Sequence, residues 1–402
     1  MKATTVSRYT RDWIATWTAS PQPIWDASFP APIDFPRKLW NQTIRQVARV
    51  SIGGDQLRVV LSNEYGTKPL VIGEARVAHA AGGASIVLAS GRALTFGGRT
   101  SITIPPGAPA VSDPVDLCVP PLGSLSISLF LPEISPTSTM HYDGRQTAHI
   151  VAGNKVGAAN IVADVTTQSR LFLSGIWVDA RPGARALVVF SDSIADGDGS
   201  TPDTNRRWPD TFAERLVQVG GTPMAVLNQG ISGARMLSDG MGVNALARFD
   251  RDVLGQPGVD TVILMMGLND IGWPGGVLAP PEAAPSAQDI VAGYRQLITR
   301  AHARNIRILG ATLTPFENAL IDGPFGYFYN PQKELERVAV NQWIRGSGEF
   351  DGVIDFDAVM RDPSRPSRLL PTYDQGDHLH MQDAGYRAMA ECIDIELVCK
   401  PH

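Results

Sequence analysis

Val188-Val189-Phe190-Ser191-Asp192-Ser193-Ile194 is an apolar run that stops abruptly at Asp-Ser, and Gly197 and Gly199 follow it closely. The run reads as a buried strand that delivers a serine to the edge of a sheet. Open α/β sheets bind ligands outside the carboxyl ends of their strands, where backbone N–H groups and helix N-termini face the substrate. Ser193 is therefore the candidate nucleophile.

Most serines in such places are solvated turn or capping residues, so the case depends on partners elsewhere in the chain. Asn228-Gln229-Gly230-Ile231-Ser232-Gly233 follows the apolar run 224–227, and Gly267-Leu268-Asn269-Asp270 follows 261–266. Asp377-His378-Leu379-His380 lies near the C-terminus, just before a helical pattern. Apolar runs at 186–190, 224–227, 261–266, 306–311 and 352–356 alternate with helical patterns such as Phe212, Leu216, Val219 and Ile290, Tyr294, Leu297, Ile298. This alternation predicts a parallel sheet covered by helices on both sides, a three-layer α/β/α domain over 186–402. Ser193, Gly233 and Asn269 each fall just past the end of a predicted strand, so the topology brings them to a common rim.

Upstream the pattern differs. From 13 to 179 short alternating runs, such as Gln56-Leu57-Arg58-Val59-Val60-Leu61-Ser62 and Leu125-Ser126-Ile127-Ser128-Leu129-Phe130-Leu131, are separated by Gly and Pro. Period-two runs with frequent turn signals predict an antiparallel β-sandwich over 1–180. The composition changes at Asp179-Ala180-Arg181-Pro182-Gly183-Ala184-Arg185, which marks the expected domain boundary.

The blocks around Ser193, Gly233, Asn269 and Asp377/His380 resemble, in order, spacing and context, the SGNH hydrolases, also called the GDSL family of esterases and lipases. The resemblance covers the chain from about 186 to the C-terminus, and the N-terminal half looks like the β-rich module of one branch of that family. It implies hydrolysis of carboxylic esters through an acyl-enzyme, with no cofactor and no metal. Acyl transfer needs a nucleophile, a base, an orienter for the base and donors for the oxyanion. By the resemblance these are Ser193, His380, Asp377, and the Ser193 N–H, the Gly233 N–H and the Asn269 amide. His378 also has an aspartate nearby, Asp374, but the family pattern Asp-x-x-His selects Asp377 and His380. Asp192 and Asp270 are expected to orient loops. Short acyl or aryl esters are the expected substrates, with deacetylation of a xylan-type carbohydrate, or a disabled site that only binds acylated ligands, as alternatives. Trp13, Trp17, Trp25 and Trp40 would supply a sugar-stacking face in the carbohydrate reading. Trp273, Phe316 and Phe328 are candidates for the pocket wall or for core.

Two departures from the family stand out. Ser191 occupies the place of the family's glycine, two residues before Ser193 and hence on the same side of an extended strand. It is expected to modulate rate or specificity. Met381-Gln382 replaces the usual Pro-Asn, which would leave the loop carrying the base more mobile and let Met381 line the pocket. Two further motifs are discounted. Gly230-Ile231-Ser232-Gly233-Ala234 lacks the last glycine of a nucleophile elbow, which leaves Ser232 a loop residue. Asp196-Gly197-Asp198-Gly199-Ser200 has Thr201 and Arg207 where a calcium loop needs glycine and glutamate.

A chain of 402 residues with formal net charge -5 offers no basic footprint for nucleic acid, and no run approaches a membrane span. Cys118, Cys392 and Cys399 show no metal-ligand spacing; if one helix ran through the last two, they would be about 10 Å apart along it, beyond disulfide reach. Met1-Lys2-Ala3-Thr4-Thr5-Val6-Ser7-Arg8-Tyr9-Thr10 lacks the apolar centre of a signal peptide, which suits a cytoplasmic protein or a secreted one whose leader is absent. The sequence leaves the oligomeric state open.

Overall fold

The strand Arg185–Phe190 lies inside a five-stranded parallel sheet, flanked by Met224–Asn228 on one side and Val259–Leu264 on the other, with Arg307–Ala311 and Val353–Ile354 completing the order. The computed structural model describes residues 13–281 and 284–400. The expectations for residues 1–10 lie outside that range, as does His402.

Ala186, Leu187, Val188, Val189 and Phe190 are all fully buried, as an uninterrupted apolar run in a central parallel strand requires. The chain order of the strands reverses beside Arg185–Phe190, so the crevice at its carboxyl end is a topological switch point. The helices Trp208–Val219, Phe356–Met360 and Asp383–Cys392 pack together in one layer, and Ala245–Phe249, Ala287–His302 and Pro331–Gly346 in the other. The last strand is only two residues long, because Asp355 accepts a hydrogen bond from Ala358 N–H at 3.1 Å and starts a helix where the apolar run predicted more strand.

The β-rich N-terminal region holds two large antiparallel sheets. One joins Trp13–Thr18, Leu173–Asp179, Gly54–Ser62, Pro109–Val111 and Val115–Val119. The other is centred on Gln42–Arg49, Ser124–Leu131 and Glu74–Gly82. In Ser124–Leu131 the polar positions Ser126 and Ser128 are buried as well as the apolar ones. Their face is covered: Arg45 reaches across it, donating to Ser128 Oγ at 2.9 Å and to the carbonyls of Ala84 and Ala158 at 2.7 and 2.8 Å.

The β-rich region also covers the edge of the parallel sheet. Val226 N–H donates to Ser51 Oγ at 3.0 Å and Asn228 O accepts from Thr18 Oγ at 3.1 Å, so the exposed side of Met224–Asn228 has partners. Of the tryptophans expected on a stacking face, Trp17 and Trp25 are buried, Arg58 covers Trp13, and Trp40 alone is exposed. They do not form a common open face. The C-terminal helix stops at Cys392 and a separate one runs Ile395–Cys399, and all three cysteines are free. Among the described residues no helix is long and apolar enough to cross a membrane.

Candidate active site

The first parallel strand ends at Phe190, and a one-turn helix, Ser193–Asp196, begins at once. Asp192 causes the turn: its Oδ1 accepts from Ile194 N–H at 3.1 Å and caps the helix. Gly197 ends it with φ 97° and donates its N–H to Ser193 O at 2.7 Å. A Cβ at Gly197 would lie 2.2 Å from Arg207 Cγ, so the helix can end here only on glycine.

His380 Nε2 lies 2.8 Å from Ser193 Oγ, and His380 Nδ1 lies 2.6 Å from Asp377 Oδ2. The other carboxylate oxygen of Asp377 accepts from the backbone N–H of Leu379 and His380 at 2.9 and 2.8 Å, and Gln375 donates to Oδ2 at 2.7 Å. The loop that carries these groups is closed on itself. Gln375 N–H bonds His380 O at 3.0 Å and Gln382 N–H bonds Tyr373 O at 2.8 Å. The loop is thus pinned without the family's proline, and Met381, fully buried, does not line a pocket. His378 pairs separately with Asp374 at 2.6 Å and is partly exposed.

Gly233 follows the second parallel strand with φ 71°, and a Cβ there would lie 2.1 Å from Met241 Sδ. Trp273 Nε1 donates to its carbonyl at 3.2 Å. Asn269 does not cap the helix Leu268–Gly272; Gly267 holds that position. The Asn269 amide instead donates to Ala234 O at 3.0 Å and, at a longer 3.3 Å, to Asp192 Oδ2. Asp270 holds the same turn by accepting from the N–H groups of Met236 and Leu237 at 2.6 and 3.0 Å. Asn269, Asp192, Ser193 and His380 are all buried; the Asn269 amide bonds Asp192, and His380 bonds Ser193.

Residues 192–388 match the model of the GDSL-like Lipase/Acylhydrolase family. This part of the chain belongs to that family. Solved structures similar to the chain include a GDSL-like lipase from Bacteroides thetaiotaomicron, 18% identical with TM-score 0.36 over 53% of this chain and 87% of that one. The native aryl esterase of M. smegmatis is 17% identical with TM-score 0.39, over 52% of this chain and 95% of its own. A carbohydrate acetylesterase family member from Sinorhizobium meliloti is 16% identical with TM-score 0.38, over 52% and 94%. No curated protein matches the sequence.

Within the acylhydrolase segment, charge is concentrated around the imidazole. Burial opposes a charged His380, but the carboxylates of Asp198, whose Oδ2 lies 3.7 Å from Nδ1, and of Asp377 outweigh it and push its pKa up to about 9. Burial likewise opposes charge on Asp377, yet the bonds from His380 and Leu379 hold its carboxyl well below the usual carboxylate range. Burial pushes Asp192 up to about 7 against the Ile194 N–H bond and the His380 ring, and pushes Asp270 up to about 6 against its backbone N–H donors. Ser191 is fully buried, its hydroxyl has no hydrogen-bond partner among the described residues, and its carbonyl accepts from Arg248 at 3.1 Å. It donates no hydrogen bond to Ser193.

The acylhydrolase segment uses residues that the sequence did not single out. Asp198, part of the discounted calcium-loop motif, faces the His380 ring. Ser232, a loop residue by its motif, bonds Asp196 Oδ2 through both its N–H and its hydroxyl, at 2.8 and 3.0 Å. His141 comes from the β-rich region to meet the other oxygen of Asp196 at 2.9 Å. Trp273, Phe316 and Phe328 are buried against one another and Phe325 rather than open to a ligand. Among the described residues no group of three or more His, Cys, Asp or Glu side chains is arranged to hold a metal ion.

Proposed function

We propose that the protein is a serine esterase acting on short-chain carboxylic or aryl esters, its chain divided into a β-sandwich domain at 1–180 and a catalytic domain at 186–402. The observation that carries this reading is the unbroken chain of hydrogen bonds from Asp377 through His380 to Ser193, at 2.6 and 2.8 Å. Ser193 Oγ attacks the ester carbonyl carbon while its proton passes to His380 Nε2. Asp377, acceptor only and ionised, holds Nδ1 protonated and stabilises the imidazolium. The oxyanion takes the N–H of Ser193, the N–H of Gly233 and the Asn269 amide, which exchanges its long bond to Asp192 for the substrate. His380 then returns the proton to the leaving alcohol or phenol. Water repeats the sequence on the acyl-enzyme and releases the acid.

Small substrates are favoured over carbohydrate because the tryptophans that a sugar would stack on are buried or covered except for Trp40. The test is hydrolysis of p-nitrophenyl esters from acetate to decanoate by the wild type and by Ser193→Ala. Turnover that peaks at short chains and vanishes in the variant supports the reading. A folded wild type without turnover rejects it in favour of an acyl-ligand binder, and faster release of acetate from acetylated xylan than from aryl acetates moves the substrate to carbohydrate.

A further inference from the structure

Asp196 closes the one-turn helix that opens with Ser193, and Ser232 immediately precedes Gly233. The bonds from Ser232 N–H and Oγ to Asp196 Oδ2 therefore tie the segment carrying the nucleophile to the turn carrying the oxyanion donor. That carboxyl group is 1% exposed, and a buried polar group needs a partner for each of its oxygens. Its other oxygen meets His141 Nε2 at 2.9 Å, and His141 Nδ1 lies 3.1 Å from the carbonyl oxygen of Ser20. A carbonyl oxygen only accepts, so Nδ1 carries the hydrogen toward Ser20, and Nε2 shares one with the Asp196 carboxyl group. His141 belongs to the short strand Thr139–His141 of the β-rich region, not to the segment that matches the family.

We propose that His141 is a positioning residue of the active site: from the β-rich region it engages the Asp196 oxygen that Ser232 does not, and so holds Ser193 and Gly233 in register. The proposal rests on the reading of Ser193 as nucleophile and Gly233 as oxyanion donor. It makes the two halves of the chain one catalytic unit, since without the β-rich region the acylhydrolase segment would carry Asp196 with one oxygen unpartnered by His141. His141 acts through Asp196 and Ser232 on geometry alone and touches no substrate. Its loss should therefore lower turnover while leaving ground-state binding in place.

The experiment measures p-nitrophenyl acetate hydrolysis by full-length wild type, His141→Gln, Asp196→Asn, the double variant and Ser193→Ala, with a thermal melt of each. A displacement near the reacting atoms predicts kcat lower by roughly 10- to 100-fold in His141→Gln, with KM within about twofold. The double variant, whose two side-chain amides can pair with each other, should be faster than His141→Gln alone, a non-additivity expected only of coupled groups. Wild-type kcat in folded His141→Gln, a change in KM alone, or an additive double variant overturns the proposal. Should His141→Gln fail to fold, wild-type kcat in Asp196→Asn overturns it. Turnover surviving in Ser193→Ala sinks the esterase reading, whereas its loss there beside an unimpaired His141→Gln sinks only the role of His141.

Discussion

His380 Nε2 and Ser193 Oγ are 2.8 Å apart although 187 positions separate them in the chain. Two docking events produce the contact. The parallel sheet presents Ser193 at its carboxyl rim, and the helix Asp383–Cys392 packs on Trp208–Val219, which sets down the loop before it on that rim. Asp383 fastens the junction by accepting from Thr201 N–H and Oγ at 2.8 and 2.9 Å.

Asp377→Asn tests the orienter. The amide keeps the shape and can still accept from the N–H groups of Leu379 and His380, but it removes the charge opposite the imidazolium and favours the wrong tautomer. Loss of kcat by roughly 10⁴-fold is expected, as for aspartate in other Ser-His-Asp sites. Steady-state kinetics together with an unchanged circular dichroism spectrum check it; a loss under about tenfold would mean that His380 is held well enough by other groups.

The pH profile follows from the carboxylates around His380. A base must be neutral to take the serine proton, and His380 is held protonated up to about 9. kcat/KM should therefore rise through that region rather than level off near the ordinary histidine value of about 6.5. The same raised pKa contributes stability in full below about 6.5, lost progressively as the pH climbs through about 9, so turnover should peak at higher pH than stability does. Asp198→Asn removes the carboxylate 3.7 Å from Nδ1 and should move the acid limb down by roughly one unit. A limb that stays in place in Asp198→Asn rules out that carboxylate as its cause.

The sheet was legible because each buried parallel strand is an apolar run ended by a polar turn; the run 261–266 passed the end of its strand at Leu264 by two residues, and the last run overshot where Asp355 starts a helix instead. Ser193, Asn269, Asp377 and His380 were visible because each sits in a short local pattern beside such a strand or helix. His141 was not. A single histidine on a short strand carries no periodicity or motif, and its contact with Asp196 exists only through the packing of one region on another. The tryptophans were misleading for the converse reason: their spacing in sequence says nothing about which of them the neighbouring sheet covers. Ser126 and Ser128 alternate as solvent-facing residues should, yet Arg45 and the strand's neighbours bury them.

Gly233→Ala should lower kcat by about 100- to 1000-fold. The residue has φ 71° and its new Cβ would stand 2.1 Å from Met241 Sδ, so the turn must move and carry the oxyanion donor with it. Losing one such donor typically costs about 100- to 1000-fold in kcat. Adding Met241→Ala removes the collision but not the positive φ, so the double variant should recover only part of the loss. Full recovery would show that the collision alone, and not the turn's conformation, places the N–H.

Ser191→Ala separates the two meanings of the serine that replaces the family's glycine. The hydroxyl is buried without a partner among the described residues, and leaving such a group unsatisfied costs about 1 to 3 kcal/mol. Alanine removes the polar atom while keeping the Cβ and the strand's restricted backbone, so the variant should be more stable, by about 1 kcal/mol in a denaturant melt. Glycine at the same place removes the orphan atom too, but it frees the unfolded chain, and its gain should be smaller by about 0.5 to 1 kcal/mol. If Ser191 acts only through this strain, both variants keep the wild-type preference among p-nitrophenyl esters. If the hydroxyl also shapes the floor beside Ser193, both variants shift the preferred acyl length in the same direction, because both clear the same oxygen from the strand.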